Sequence, residues 1–139
     1  MIGANFNLAV MDNKEMLRRT KQFGYDCIDL CNYLEGDYLK HHVRSQLIRS
    51  STSVGANYRA SRLAQSTASF IAKISISLEE ADESAMWLEM IIDKNLLPLK
   101  NQSETKRLLK EADELTSIFV STRKTIENKK KYQQSNSGD

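Results

Sequence analysis

Turn-forming residues are scarce in this chain: five Gly and one Pro in 139 residues. Gly3, Gly24, Gly36, Gly55 and Gly138 are scattered and set up no turn rhythm. An all-β or α/β chain of this length needs more turn chemistry, so an all-helical fold is expected. Long apolar runs are missing too. None exceeds four residues, which excludes a membrane-spanning helix. The N-terminal stretch MIGANFNLAVMDNKE lacks the basic start and long apolar centre of a signal peptide, so a cytoplasmic location is expected. Cysteine is limited to Cys27 and Cys31, which in that compartment should be reduced thiols.

Charge of one sign is also lacking, since the net value is +2. Its distribution is uneven. Residues 35–65 carry Lys40, Arg44, Arg49, Arg59 and Arg62 against Glu35 and Asp37, whereas residues 66–96 carry two basic groups against six acidic ones. A basic second segment beside an acidic third one suits neighbouring helices. Exposed pairs of this kind add only about 0–1 kcal/mol each, but they favour one pairing over another.

What is present is helical periodicity. Four segments are predicted, over about 13–34, 38–64, 66–95 and 103–130. In the first, Asp12 or Asn13 can cap the N-terminus, and Leu17, Gly24, Ile28 and Cys31 describe an apolar stripe. Gly24 costs roughly 1 kcal/mol in a helix interior, so its expected use is close approach by another helix. Glu35-Gly36-Asp37 supplies the stop. In the second, Val43, Leu47, Ser51, Val54 and Tyr58 form a seam that stays in phase across the weak helix formers Ser50–Ser53 and Gly55.

The third segment can start at Ser66 or Thr67. Its seam runs through Phe70, Ile74, Ser77, Ala81, Ser84, Leu88 and Ile91, and Leu97-Pro98 is expected to end it. The fourth carries Leu108, Ala112, Leu115, Phe119, Thr122 and Ile126. A polar tail from 132 to 139 is expected to be disordered. Short connections between four amphipathic helices imply one domain over 1–131, an all-α, up-and-down antiparallel four-helix bundle. The wide stripes on the second and third helices leave apolar surface that a homo-oligomer would cover.

No constellation of catalytic chemistry stands out. Cys27 and Cys31 offer two thiols, but a structural zinc site needs four ligands and the histidines are the adjacent His41 and His42. Glu79, Glu83, Glu89 and Asp93 lack the Glu-x-x-His partners of a carboxylate-bridged metal bundle. The stretch SSTSVGAN at 50–57 has one glycine and no lysine, so it makes no phosphate loop. No enzyme, metal or cofactor is expected. The candidates for nucleic-acid contact are Arg44, Arg49, Arg59, Arg62, Lys129, Lys130 and Lys131, which can neutralise phosphates without reading sequence. No aromatic platform is seen interleaving them, and Arg49 and Arg59 can equally pair with the acidic third helix.

Gln46-Leu47, the run Arg49 to Asn57 (RSSTSVGAN), Ala64-Gln65-Ser66, Phe70, the run Ser75 to Ser84 (SISLEEADES) and Trp87-Leu88 resemble the four helix bundle protein family. That family is also called the 23S rRNA-intervening sequence protein family. The match is most specific over about 44–90. The resemblance implies a bacterial protein assembling as a homopentameric ring, with founding members encoded in insertions within 23S ribosomal RNA genes. Accessory proteins of diversity-generating retroelements are more distant relatives, strongly basic ones that bind a reverse transcriptase and nucleic acid. This chain is nearly neutral by comparison. The resemblance brings no catalytic residue with it.

Two functions follow as expectations. One is a non-enzymatic oligomeric accessory protein that binds RNA or DNA. The other is a protein-interaction scaffold, contacting an element-encoded or host protein without touching nucleic acid.

Overall fold

In the computed structural model, residues 13–137 are described. They form four α-helices and no strand: α1 (Asn13–Cys31), α2 (Tyr38–Ser61), α3 (Thr67–Asp93) and α4 (Gln102–Ser137), with a 3-10 turn at Leu99–Asn101. The N-terminal stretch up to Asp12, and with it the signal-peptide question and one of the two α1 caps, lies outside the described residues. So do Gly138 and Asp139. Among the described residues no helix is long and apolar enough to cross a membrane.

Local chemistry sets the helix ends. The Asp37 carboxylate accepts the Lys40 N–H at 3.0 Å and caps α2, and the Ser66 hydroxyl accepts the Ser69 N–H at 3.0 Å and caps α3. α1 stops at Cys31, short of the expected 34, and the following turn buries Leu34 completely. Gly36 then takes a φ of 132°, a conformation other residues avoid.

The end of α3 also departs from expectation. Asn95, at φ 54°, stops it before Leu97-Pro98 is reached. The Leu96 N–H bonds the Ile91 carbonyl at 3.0 Å and the Asn95 N–H bonds that of Ile92 at 3.1 Å. This is the Schellman pattern, in which a left-handed Asn can replace the usual Gly.

α4 corrects a second expectation. It runs helical through Tyr132 and on to Ser137, where a disordered tail from 132 was anticipated. Lys129–Lys131, Gln133 and Gln134 are good helix formers, and extending an existing helix gains a hydrogen bond for each residue fixed. At 36 residues α4 is the longest helix described, roughly 54 Å at 1.5 Å per residue.

The seams on α2, α3 and α4 are buried over most of their length as their period predicts, with Val43, Leu47, Val54, Ile74, Leu88, Leu108 and Leu115 wholly inaccessible and Phe70 and Ile126 half-buried. On α1 Gly24 and Cys31 are buried as expected, but the centre of the stripe lies about one residue earlier. Met16, Thr20, Phe23, Cys27 and Leu30 face the core, while Leu17 and Ile28 are only half-buried. Thr20 hid this phase, because a threonine reads as polar. Its hydroxyl donates to the Met16 carbonyl at 2.8 Å, which leaves a small side chain fit for burial.

Contacts run in opposite chain order along paired helices. Gly55 meets the backbone of Thr20, Gly24 meets that of Ser51, and the Cys31 thiol points at the Arg44 carbonyl. Between α2 and α3, Ser77 donates to the Val54 carbonyl at 3.0 Å, and the Ser84 and Ser50 hydroxyls lie 2.9 Å apart. Arg19 grips Glu111 at 2.6 Å and Arg107 reaches Asp26 at 2.8 Å, closing α1 onto α4.

Burial pushes the Cys27 thiol well above its ordinary range, and that of Cys31 up to about 12. An unfolded chain sheds these protons above the ordinary value of 9.0 while the folded one keeps them. Their contribution is therefore full below that value and declines as pH rises towards 12. Urea midpoints of wild type and Cys27→Ala/Cys31→Ala should converge on going from neutral to alkaline pH. A gap that stays constant would show that the thiols titrate normally.

Candidate nucleic-acid interface

α2 closes with a tightened turn. The Leu63 and Ala64 N–H groups return to the Ala60 and Ser61 carbonyls at 3.0 and 3.2 Å. This turn fixes Arg62 at one end of the helix group. α4 arrives there from the other direction: Arg123 donates to the Ser75 hydroxyl at 3.3 Å, so later residues of α4 lie over earlier residues of α3. Between them is an open groove of about 890 Å³, lined by Arg62, Phe70, Ile126, Lys129, Lys130 and Tyr132 among others.

Among the described residues, the groove's lining contains three cationic side chains and no carboxylate. The nearest acidic residue along α4, Glu127, sits 4.0 Å from Arg123 instead. Amide side chains of Gln65, Asn128 and Gln133 supply neutral polar groups. Such a surface attracts anions.

The seven sequence candidates separate here. Arg62, Lys129 and Lys130 are brought together. Arg49 bonds Glu80 at 2.9 Å and also Glu83, so its charge is neutralised by α3. It lies roughly 20 Å along α2 from Arg62, and Arg44 roughly 27 Å. Arg59 and Lys131 are exposed but do not line the groove, and Arg59 forms no ion pair among the described residues.

Two groove residues went unnoticed in the sequence. Tyr132 was assigned to the tail, although Ile126, Lys129, Lys130 and Gln133 continue the helical spacing and would have placed it. Phe70 was read as part of the α3 seam; its half-buried side chain does pack against the core and also lines the groove. The aromatic groups missing from the sequence reading are therefore present in the fold.

The other chemistry resolves into structural roles. Ser50 and Ser51 are buried in helix contacts. Glu83 accepts from the Trp87 indole at 3.1 Å as well as from Arg49. Among the described residues no group of three or more His, Cys, Asp or Glu side chains could hold a metal ion. An aromatic row of Tyr38, His42 and Trp87 lies between α2 and α3, with His42 at 6.3 Å from Tyr38 and 5.5 Å from Trp87.

The sequence profile of the 23S rRNA-intervening sequence protein family matches residues 12–121. A crystal structure of a protein from Bacteroides thetaiotaomicron, described as of unknown function and from the S23 ribosomal protein family, is similar. It is 28% identical with a TM-score of 0.70, and the match covers 80% of this chain and 96% of that one. No curated protein matches significantly.

Proposed function

Starting from the fact that the chain belongs to the 23S rRNA-intervening sequence protein family, we propose a non-enzymatic, cytoplasmic bacterial accessory protein that binds RNA or DNA through its phosphates. In this reading the chain is an up-and-down antiparallel bundle that assembles as a homopentameric ring. The observation that carries the binding is the groove that brings Arg62, Lys129 and Lys130 together, with no carboxylate among its described lining residues. Three cations converging from two helices make a phosphate-binding surface, whereas an isolated exposed lysine is ordinarily just solvated.

Assembly draws its support from exposed apolar side chains. Tyr38, Leu63 and Leu99 are 85%, 77% and 83% accessible, surface that a second copy would cover. A ring would also repeat the groove on each subunit, raising avidity for a long polyanion without new contacts.

Fluorescence anisotropy with labelled RNA and DNA at low salt, on the assembled oligomer, tests the binding. Arg62→Ala/Lys130→Ala should weaken it by about tenfold or more, and Arg49→Ala should leave it unchanged. No binding by the wild type at low salt would overturn the reading. A polypeptide that co-purifies through nuclease and high salt would then favour the scaffold role.

A further inference from the structure

We propose that the end of the bundle away from the groove pairs with the same end of a second copy across a two-fold axis, so that two rings stack face to face. The inference rests on the ring reading only for the number of chains in each layer. Two contacts draw this end together. The Lys100 ammonium lies 5.1 Å from the centre of the Tyr33 ring, joining the connection after α3 to the turn after α1. His42 packs edge-on against Trp87 at 5.5 Å, which sets the start of α2 beside the last turns of α3. Out of this end stand Tyr33, Tyr38, Leu39 and Leu99, which are 47%, 85%, 38% and 83% accessible. Large apolar side chains exposed singly are ordinary, but several at one end form a patch that association covers.

Charge selects the occupant. The turn after α1 carries Glu35 and Asp37 and no cation, whereas the connection after α3 carries Lys94 and Lys100 and no carboxylate. Lys40 and Asp93, of the reverse signs, belong to the helices behind them. Among the described residues, Glu35, Lys94 and Lys100 form no ion pair within their own chain. The end as a whole is therefore balanced, which suits neither a polyanion nor an anionic membrane surface. It suits itself. A two-fold axis lays the basic connection of each copy over the acidic turn of the other, so the same contact forms twice. The rotation also brings Leu99 of one copy onto the turn that holds Tyr33 and leads to Tyr38 in the other. A ring joins its subunits flank to flank, which leaves their ends free for this second contact.

Sedimentation velocity on the full chain, through the micromolar range where small interfaces form, tests the stacking. Wild type should reach twice the mass of Leu99→Asp. Lys100→Glu should also fall to half the wild-type mass, because it sets a carboxylate against the acidic turn. Adding Glu35→Lys to Lys100→Glu should restore the doubled mass, a rescue that a merely destabilised fold would not give. Unchanged thermal midpoints check that substitutions at these exposed positions leave folding intact. A wild type with the same mass as Leu99→Asp, or a charge exchange that restores nothing, would overturn the end-to-end pairing. Doubling from one chain to a pair would keep the pairing and overturn the ring, whereas a single ring in every protein would do the reverse.

Discussion

Phe119→Ala should lower the unfolding free energy by about 3–5 kcal/mol, the range found when a buried phenylalanine is truncated. Phe119 is wholly inaccessible on α4, and its ring centroid lies 6.0 Å from that of Tyr58 on α2. These two helices are not neighbours in sequence, so the pair ties the first half of the chain to the second. Leu115, one turn before Phe119, and Val54, one turn before Tyr58, are also fully buried and cannot both shift to fill the vacated space. Urea denaturation reads the loss as a fall in midpoint at nearly constant slope. A change below about 1 kcal/mol would mean that this part of the core collapses freely or is not packed as described.

Gly55→Val should cost about 2–3 kcal/mol through overpacking, although valine is the better helix former. A Cβ at position 55 would sit 3.3 Å from both the carbonyl carbon and oxygen of Thr20 and 3.4 Å from the Lys21 nitrogen. These are backbone atoms of α1, which cannot turn aside as a flexible side chain would. Gly24 faces α2 in the same manner, and a Cβ added there would sit 3.3 Å from the Ser51 carbonyl oxygen. Gly55→Ala separates the two effects, because alanine returns about 1 kcal/mol of helix propensity against a smaller squeeze. Its stability should stay within about 1 kcal/mol of wild type. A Gly55→Val protein with the wild-type midpoint would show that α1 and α2 do not approach as closely as the geometry states.

These two sites also mark what was legible in the sequence. The α4 seam containing Phe119 followed from spacing alone, since each apolar residue in it recurs at three or four positions. Gly24 and Gly55 were readable as close-approach sites because a helix tolerates glycine poorly. The rest depended on information that spacing does not carry. The α1 phase turned on Thr20, whose burial is allowed by a hydrogen bond to its own helix. The α3 terminus turned on Asn95, which local sequence does not distinguish from a polar helical residue.

The candidate groove was the least legible feature. Arg62 and Lys130 are far apart in sequence, and neither is distinguishable by charge from Arg49 or Lys131. What separates them is tertiary: α3 supplies Glu80 and Glu83 to Arg49 and no carboxylate to Arg62. Pairing of a basic helix with an acidic one was foreseen, but where that pairing stops could not be read from the chain.

A salt titration of RNA binding by the whole oligomer, comparing wild type with Arg62→Ala and Arg49→Ala, tests the proposed phosphate recognition at the groove most directly. With three groove cations on each subunit, the logarithm of affinity should fall against the logarithm of salt with a slope of about 2 per occupied groove. Arg62→Ala should reduce that slope by about 0.7 and Arg49→Ala should leave it alone. Binding whose salt slope is the same in wild type and Arg62→Ala would place the phosphate contacts elsewhere and contradict the assignment.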